Sequence, residues 1–356
     1  MLPAGKMPHL PGKGIEMKRF LAFVPLAALA VIVFLSAHFV SAGPIVPKDI
    51  GADAKWFGHV NCEAIRSMEL VRDLKDKCPM CQQCQAKMDT LTEKLGTNPM
   101  EDVLGATLYS TRYDGQTGVG LIYLKKLDQQ KLVGLLQEKH PDHKTSEYGS
   151  RTLYMWTVQH QGKKMNLTGT FAADNLIVIG ADTEQVKAAL DVLDGKKPGL
   201  AKDAPLLKGI AKSALVACRG IDVPETYRKT ARCPVLQNCK AATVTWTAKD
   251  GQITGKYKFT TDSEETATKF KIIVDGLKAI GELRCGSIPA IKKVMDGLTS
   301  RAKGDSFAAT FTASTADIEA AIKAATREKK LCPLCQKNVK NGSERFPVIR
   351  WCVREP

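Results

Sequence analysis

Three thiols fall within seven residues at Cys78, Cys81 and Cys84, in the stretch CPMCQQC. Clustered thiolates support three chemistries: disulfide exchange, coordination of a soft metal, or a structural bridge. Cys78 and Cys81, with Cys332 and Cys335, give two copies of the Cys-Pro-x-Cys form used by glutaredoxin-like redox sites. Such a site needs a preceding apolar strand and a helix start that lowers the pKa of the first thiol. Cys78 instead follows the charged run VRDLKDK, and Cys332 follows REKKL.

Zinc is the second possibility, with four thiolates from Cys78, Cys81, Cys332 and Cys335. Knuckles of that kind usually carry glycine after the second cysteine, where this chain has Gln82 and Gln336. The two hooks are also far apart in sequence. His140 and His143, three residues apart in HPDH, are a weaker ligand pair.

Structural disulfides are the preferred reading. Cys62, Cys78 and Cys84 recur as Cys218, Cys233 and Cys239: a cysteine, then 15 or 14 residues, then Cys-Pro-x-x-Gln-x-Cys. Positions kept in both copies are those that staples would leave behind, and each bridge adds about 2–4 kcal/mol. The chain has 11 cysteines, so at least one is left over, and Cys352 suits a bridge to another chain.

The cysteine echo reads as an internal duplication. GATLYSTRYDGQTGVGLIYLKKLDQQKLVGLLQ and AATVTWTAKDGQITGKYKFTTDSEETATKFKIIVDGL each read as strand, turn, strand, helix. Asp114-Gly115 and Asp250-Gly251 are hairpin signals. Thr243, Thr245 and Thr247 alternate with Val244, Trp246 and Ala248, the period of a half-buried strand. TDSE at 261–264 is a helix start, after which Ala267, Phe270, Ile273, Val274 and Leu277 are expected to share one buried face. Asp174-Asn175 turns between two more strands, and TEQVKAALDVLDG is a helix ending at Gly195. The predicted fold class is α+β: two tandem related units with antiparallel sheets, helices packed on one face, and an open other face.

The N-terminus supplies location. Met17-Lys18-Arg19 precedes the apolar run FLAFVPLAALAVIVFL and a small-residue Val-Ser-Ala site, which is the pattern of an export signal. The run is also about the 20 residues a membrane span needs, so an uncleaved anchor stays open. Either way residues 43–356 are expected outside the cytoplasm, periplasmic or secreted. The expected organisation is 1–42 lead and signal or anchor, 43–51 linker, 52–200 first unit, 205–327 second unit, and 328–356 a basic cysteine-containing tail.

The segments FAADNLIVIGADTEQVKAALDVLDGKKPGL and TWTAKDGQITGKYKFTTDSEETATKF resemble uncharacterised exported bacterial proteins built from paired α+β units behind a signal. The resemblance spans most of residues 52–325. It implies an envelope location and α+β architecture, and it supplies no active site.

The net charge is +15, of which residues 1–42 hold a small part. A basic exported protein can meet anionic partners: an envelope polymer, lipid headgroups or nucleic acid. No Gly-x-Ser-x-Gly elbow, phosphate loop or His-Glu-x-x-His helix is present. The four tryptophans are spread through strands and the tail, unlike a base-stacking platform. The expected function is therefore non-enzymatic: binding or scaffolding in the cell envelope, without a cofactor and without a specific nucleic-acid partner. The alternative is a thiol–disulfide or zinc protein using the CPxC hooks. Thiol counting and a metal assay separate the two.

Overall fold

The structure, a computed structural model, describes residues 43–77, 88–114, 117–160, 163–230 and 237–331. Its strands are β1 (Trp56–Asn61), β2 (Val103–Ser110), β3 (Val119–Leu124), β4 (Lys144–Tyr148), β5 (Arg151–His160), β6 (Lys163–Ala173), β7 (Leu176–Gly180), β8 (Val216–Gly220), β9 (Cys239–Lys249), β10 (Gln252–Thr261), β11 (Leu298–Lys303) and β12 (Ser306–Ser314). The helices are α1 (Cys62–Ser67), α2 (Glu69–Lys77), α3 (Gln129–Lys139), α4 (Thr183–Leu193), α5 (Glu225–Thr230), α6 (Glu264–Cys285), α7 (Pro289–Asp296) and α8 (Thr315–Leu331). Residues 88–95 are also helical.

The class is α+β, built on one large antiparallel sheet of 12 strands in the order β11-β12-β10-β9-β8-β1-β2-β3-β7-β6-β5-β4. The hairpins form where the turn residues allow. Asp250 and Gly251 both take positive φ, 51° and 71°, the type I′ geometry that joins β9 to β10. Ser263 caps α6 by accepting from the Thr266 amide at 3.2 Å. Gly195, at φ 73°, ends α4 with the left-handed residue expected there.

The stretches 52–200 and 205–327 contribute to a single sheet, because β1 pairs antiparallel with β8 and Gly58 lies opposite Cys218. The supposed linker 43–51 is packed. Ile50 is fully buried, Ile45 lies beside it in the same core, and Gly51 bridges to Gly199. These apolar side chains close the end of the first core, so the segment cannot swing free.

Helices do not keep to one face of the sheet. Residues directly opposite in a ladder project to the same face. Phe57 lies opposite Tyr109, and Tyr109 opposite Val119. These three share a core with Val186, Ala189 and Leu190 of α4. Along the same face in the other direction, Phe57 lies opposite Arg219, Arg219 opposite Thr243, and Thr243 opposite Lys258. The opposite face of β10 carries Phe259, which stacks on Phe307 at 6.0 Å and meets Phe270 of α6 edge-on at 6.3 Å. So α4 covers one face over the first half and α6 covers the other face over the second half. The expected single-face layer is corrected by the register. Phe259 and Phe307 both point away from the α4 side, and α6 follows the apolar surface.

Ile273 also departs from expectation. It is 42% exposed, while Ala267 and Phe270 are buried. A 22-residue helix turns its 3.6-residue stripe gradually, and Ile273 falls on the outer side of that stripe.

Candidate interaction surfaces

The face of β9, β10, β12 and β11 shared with Phe57 carries no helix among the described residues. Its side chains are threonine, alanine, serine, lysine and arginine, with Gln252 at one end of β10. One row across it reads Thr243, Lys258, Ala308, Arg301, and the next reads Thr245, Lys256, Thr310, Thr299. Lys303 lies two residues beyond Arg301, on the same face, opposite Ser306. Lys256, Lys258, Arg301 and Lys303 are all exposed.

These four strands contain no Asp or Glu. None of the four cations has an ion-pair partner among the described residues. Strand spacing of about 4.8 Å and a rise of about 3.3 Å per residue set successive cations in the order Lys256, Lys258, Arg301, Lys303 roughly 7–10 Å apart. Like charges at that separation repel, and an incoming anion removes the repulsion. Arg219 flanks the patch. Its guanidinium donates to the Lys208 carbonyl at 2.8 Å and to Thr243 Oγ1 at 3.1 Å, and burial lowers its pKa. Threonine hydroxyls hold the floor together, with Thr254 and Thr312 meeting at 3.4 Å. No aromatic residue projects from this face, so bases have nothing to stack on.

Sequence reasoning missed this patch. The signal was present as cations at alternate positions, Lys256/Lys258 and Arg301/Lys303, in strands free of carboxylates.

The cysteines are placed as follows. Cys62 is buried as the first residue of α1, Cys218 is exposed in the middle of β8, and Cys239 is buried as the first residue of β9. Cys62 and Cys218 therefore lie on different kinds of element, against the expected correspondence. No disulfide joins two described cysteines. Cys218 lies opposite Gly58, four residues before Cys62 along the chain, which is about 13 Å at the strand rise. It also lies opposite Val244, five residues from Cys239. Both separations exceed the roughly 7 Å between α-carbons that a bridge can span. Cys78, Cys81, Cys84, Cys233, Cys332, Cys335 and Cys352 lie outside the described residues, as does the leader 1–42.

The histidines do not assemble a centre. His143 Nδ1 lies 2.9 Å from the His140 carbonyl, and the His140 ring faces Trp156 at 6.4 Å. Among the described residues no group of three potential ligands converges. His59 is a core residue, 1% exposed, with Nδ1 3.0 Å from Thr107 Oγ1. Burial lowers its pKa to about 4, against a smaller opposing contribution from the backbone of Gly43. Among the described residues no helix is long and apolar enough to cross a membrane.

No family model matches the chain, and no curated protein matches it. Solved structures similar to it include three crystal forms of TP0453. Form III has a TM-score of 0.39 and 8% identity, over 80% of this chain and 99% of that one. Form I has 0.40 and 8%, over 79% and 97%. Form IV has 0.38 and 10%, over 79% and 97%. Similarity of this degree fixes neither fold nor function.

Proposed function

We propose that this chain is an exported, non-enzymatic protein of the cell envelope that binds an anionic polymer through the uncovered face of β9–β12. The observation that carries the reading is a flat surface with four exposed, unpaired cations on strands without one carboxylate. Lysine and arginine supply the charge, and threonine hydroxyls supply hydrogen bonds between charges. A repeating polyanion matches such a surface better than a small molecule, because the cations are spread over β10 and β11, with β12 between them, instead of converging on a pocket. The basic-then-apolar leader supports export, with cleavage or anchoring both compatible.

The strand order supports a duplicated architecture. Outward from the β1–β8 pair, one side runs β1-β2-β3-β7-β6 and the other runs β8-β9-β10-β12-β11. In this reading β4 and β5 are an addition to the first unit. The first unit acts as a scaffold that the second extends.

The test is retention on an immobilised acidic polysaccharide, with a neutral dextran as control. Replacing Lys256, Lys258, Arg301 and Lys303 together by glutamine is expected to abolish retention while leaving the melting temperature unchanged. Equal retention of wild type and variant, or no retention of wild type, would reject the proposal.

A further inference from the structure

Helix α6 is apolar on two sides. Its inner side, Ala267 and Phe270, is buried. Its outer side exposes Ile272 at 64%, Ile273 at 42%, Ile280 at 41% and Leu283 at 87%. Ile273, Gly276, Ile280 and Leu283 are spaced 3, 4, 3, which is the seam pattern of paired helices. Gly276 lies in the middle of that seam, and a Cβ built there would meet nothing within 4 Å. A mid-helix glycine weakens a helix relative to alanine, and among the described residues nothing uses the gap it leaves.

The neighbouring lysines are occupied within the chain. Lys269 pairs with Glu265 at 2.6 Å, Lys271 with Asp275 at 2.5 Å, and Lys278 donates to the Leu298 carbonyl at 3.0 Å. Across α6 Lys269, Lys271, Lys278 and Arg284 are matched in number by Glu264, Glu265, Asp275 and Glu282, and this balance suits an apolar protein surface better than an anionic bilayer.

We infer that the outer side of α6 is a seam for a second copy of this chain, with the two helices antiparallel about a two-fold axis beside residue 278. In that register Ile280 of each copy sits over Gly276 of the partner subunit, and Ile273 sits beside Leu283 of the partner subunit. A parallel pair would place Gly276 against Gly276 of the partner subunit, and Ile280 against Ile280 of the partner subunit. That would leave one void layer and one crowded layer. The antiparallel pair fills both, and an isologous two-fold contact closes on itself without growing a filament. Four large side chains are few beside the roughly 20–30 residues a side of a standard interface, so the dimer is weak and concentration-dependent.

Sedimentation velocity on the full chain tests this, with dimer expected to form at protein concentrations on the order of 100 μM. Ile280→Asp is expected to weaken association at least tenfold. Gly276→Leu is expected to weaken it too, while keeping or raising the melting temperature, because it fills the gap with a better helix former. A photo-cross-linking residue at position 280 should capture a second copy near position 276. Monomer at every concentration, or a dimer indifferent to both substitutions, would overturn the inference. So would monomeric wild type that floats with anionic vesicles when Ile280→Asp does not, since that outcome gives the stripe to a membrane.

Discussion

Phe57 and Lys258 project from the same face of one sheet, linked through Arg219 and Thr243, yet Phe57 is buried and Lys258 is exposed. The difference is the helix above them. Phe57 belongs to the core that α4 closes, and Lys258 lies beyond it. Their stability effects should differ accordingly. Phe57→Ala is expected to cost about 3–5 kcal/mol, the usual range for emptying an aromatic core site. Lys258→Ala should stay within about 0.5 kcal/mol. Urea denaturation of the two variants checks both values.

His59 predicts an acid weakness. Its folded pKa is about 4, below the 6.5 of a solvated imidazole, because burial disfavours the charged ring. The unfolded chain therefore binds the proton first as pH falls. The neutral ring's contribution is complete above pH 6.5 and is lost as pH drops towards 4, by up to about 3 kcal/mol. His59→Gln keeps a polar contact to Thr107 and removes the titration. Stability measured from pH 7 to pH 4 should fall less steeply in that variant than in wild type. Parallel curves would show that His59 is not responsible.

The edge of the first half depends on an arginine fork. Arg151, the first residue of β5, donates to both carboxylate oxygens of Asp194, at 2.7 and 3.0 Å. Asp194 ends α4, so the pair ties the outer hairpin to the covering helix. The Arg151 hydrogen bonds hold the Asp194 pKa at about 2, against a smaller opposing effect of burial. Arg151→Ala is expected to cost about 1–2 kcal/mol near neutral pH. Because the depressed carboxylate loses its advantage as pH falls through 2, wild type and variant should converge there.

Much of this architecture was legible in local chemistry. The Asp250-Gly251 turn, the Ser263 cap and the Gly195 helix end each follow from one or two residues whose backbone preferences leave few choices. The Thr243-to-Ala248 alternation also told which residues share a face. What alternation cannot tell is which face receives a helix, since that depends on pairings between strands distant in sequence. The β1–β8 pairing joins residues about 160 positions apart, and no turn signal marks it. The cationic patch was hidden for the same reason. Lys258 and Arg301 become neighbours only once β12 is inserted between β10 and β11. The cysteine motif that drew the eye falls mostly outside the described residues, and Cys62 and Cys218 lie on unlike elements.

Salt is the most direct probe of the proposed surface. If polymer binding is carried by Lys256, Lys258, Arg301 and Lys303, each contact releases condensed counterions from the polyanion, and affinity falls as a power of salt concentration. By the rule for nucleic acids, four contacts give a log–log slope of roughly −3, or about a 100-fold loss between about 50 and 200 mM salt. Removing Lys258 alone should reduce the slope by roughly one, with no change in melting temperature, because its ammonium is exposed and has no ion-pair partner among the described residues. A salt-independent affinity would point instead to hydrogen bonding by the threonines. A slope unchanged in Lys258→Gln would place the contacts on the basic residues of the tail, where five Lys/Arg stand against two Glu in residues 332–356. Truncation after residue 331 separates these outcomes, since a surface confined to β9–β12 keeps its full slope without the tail.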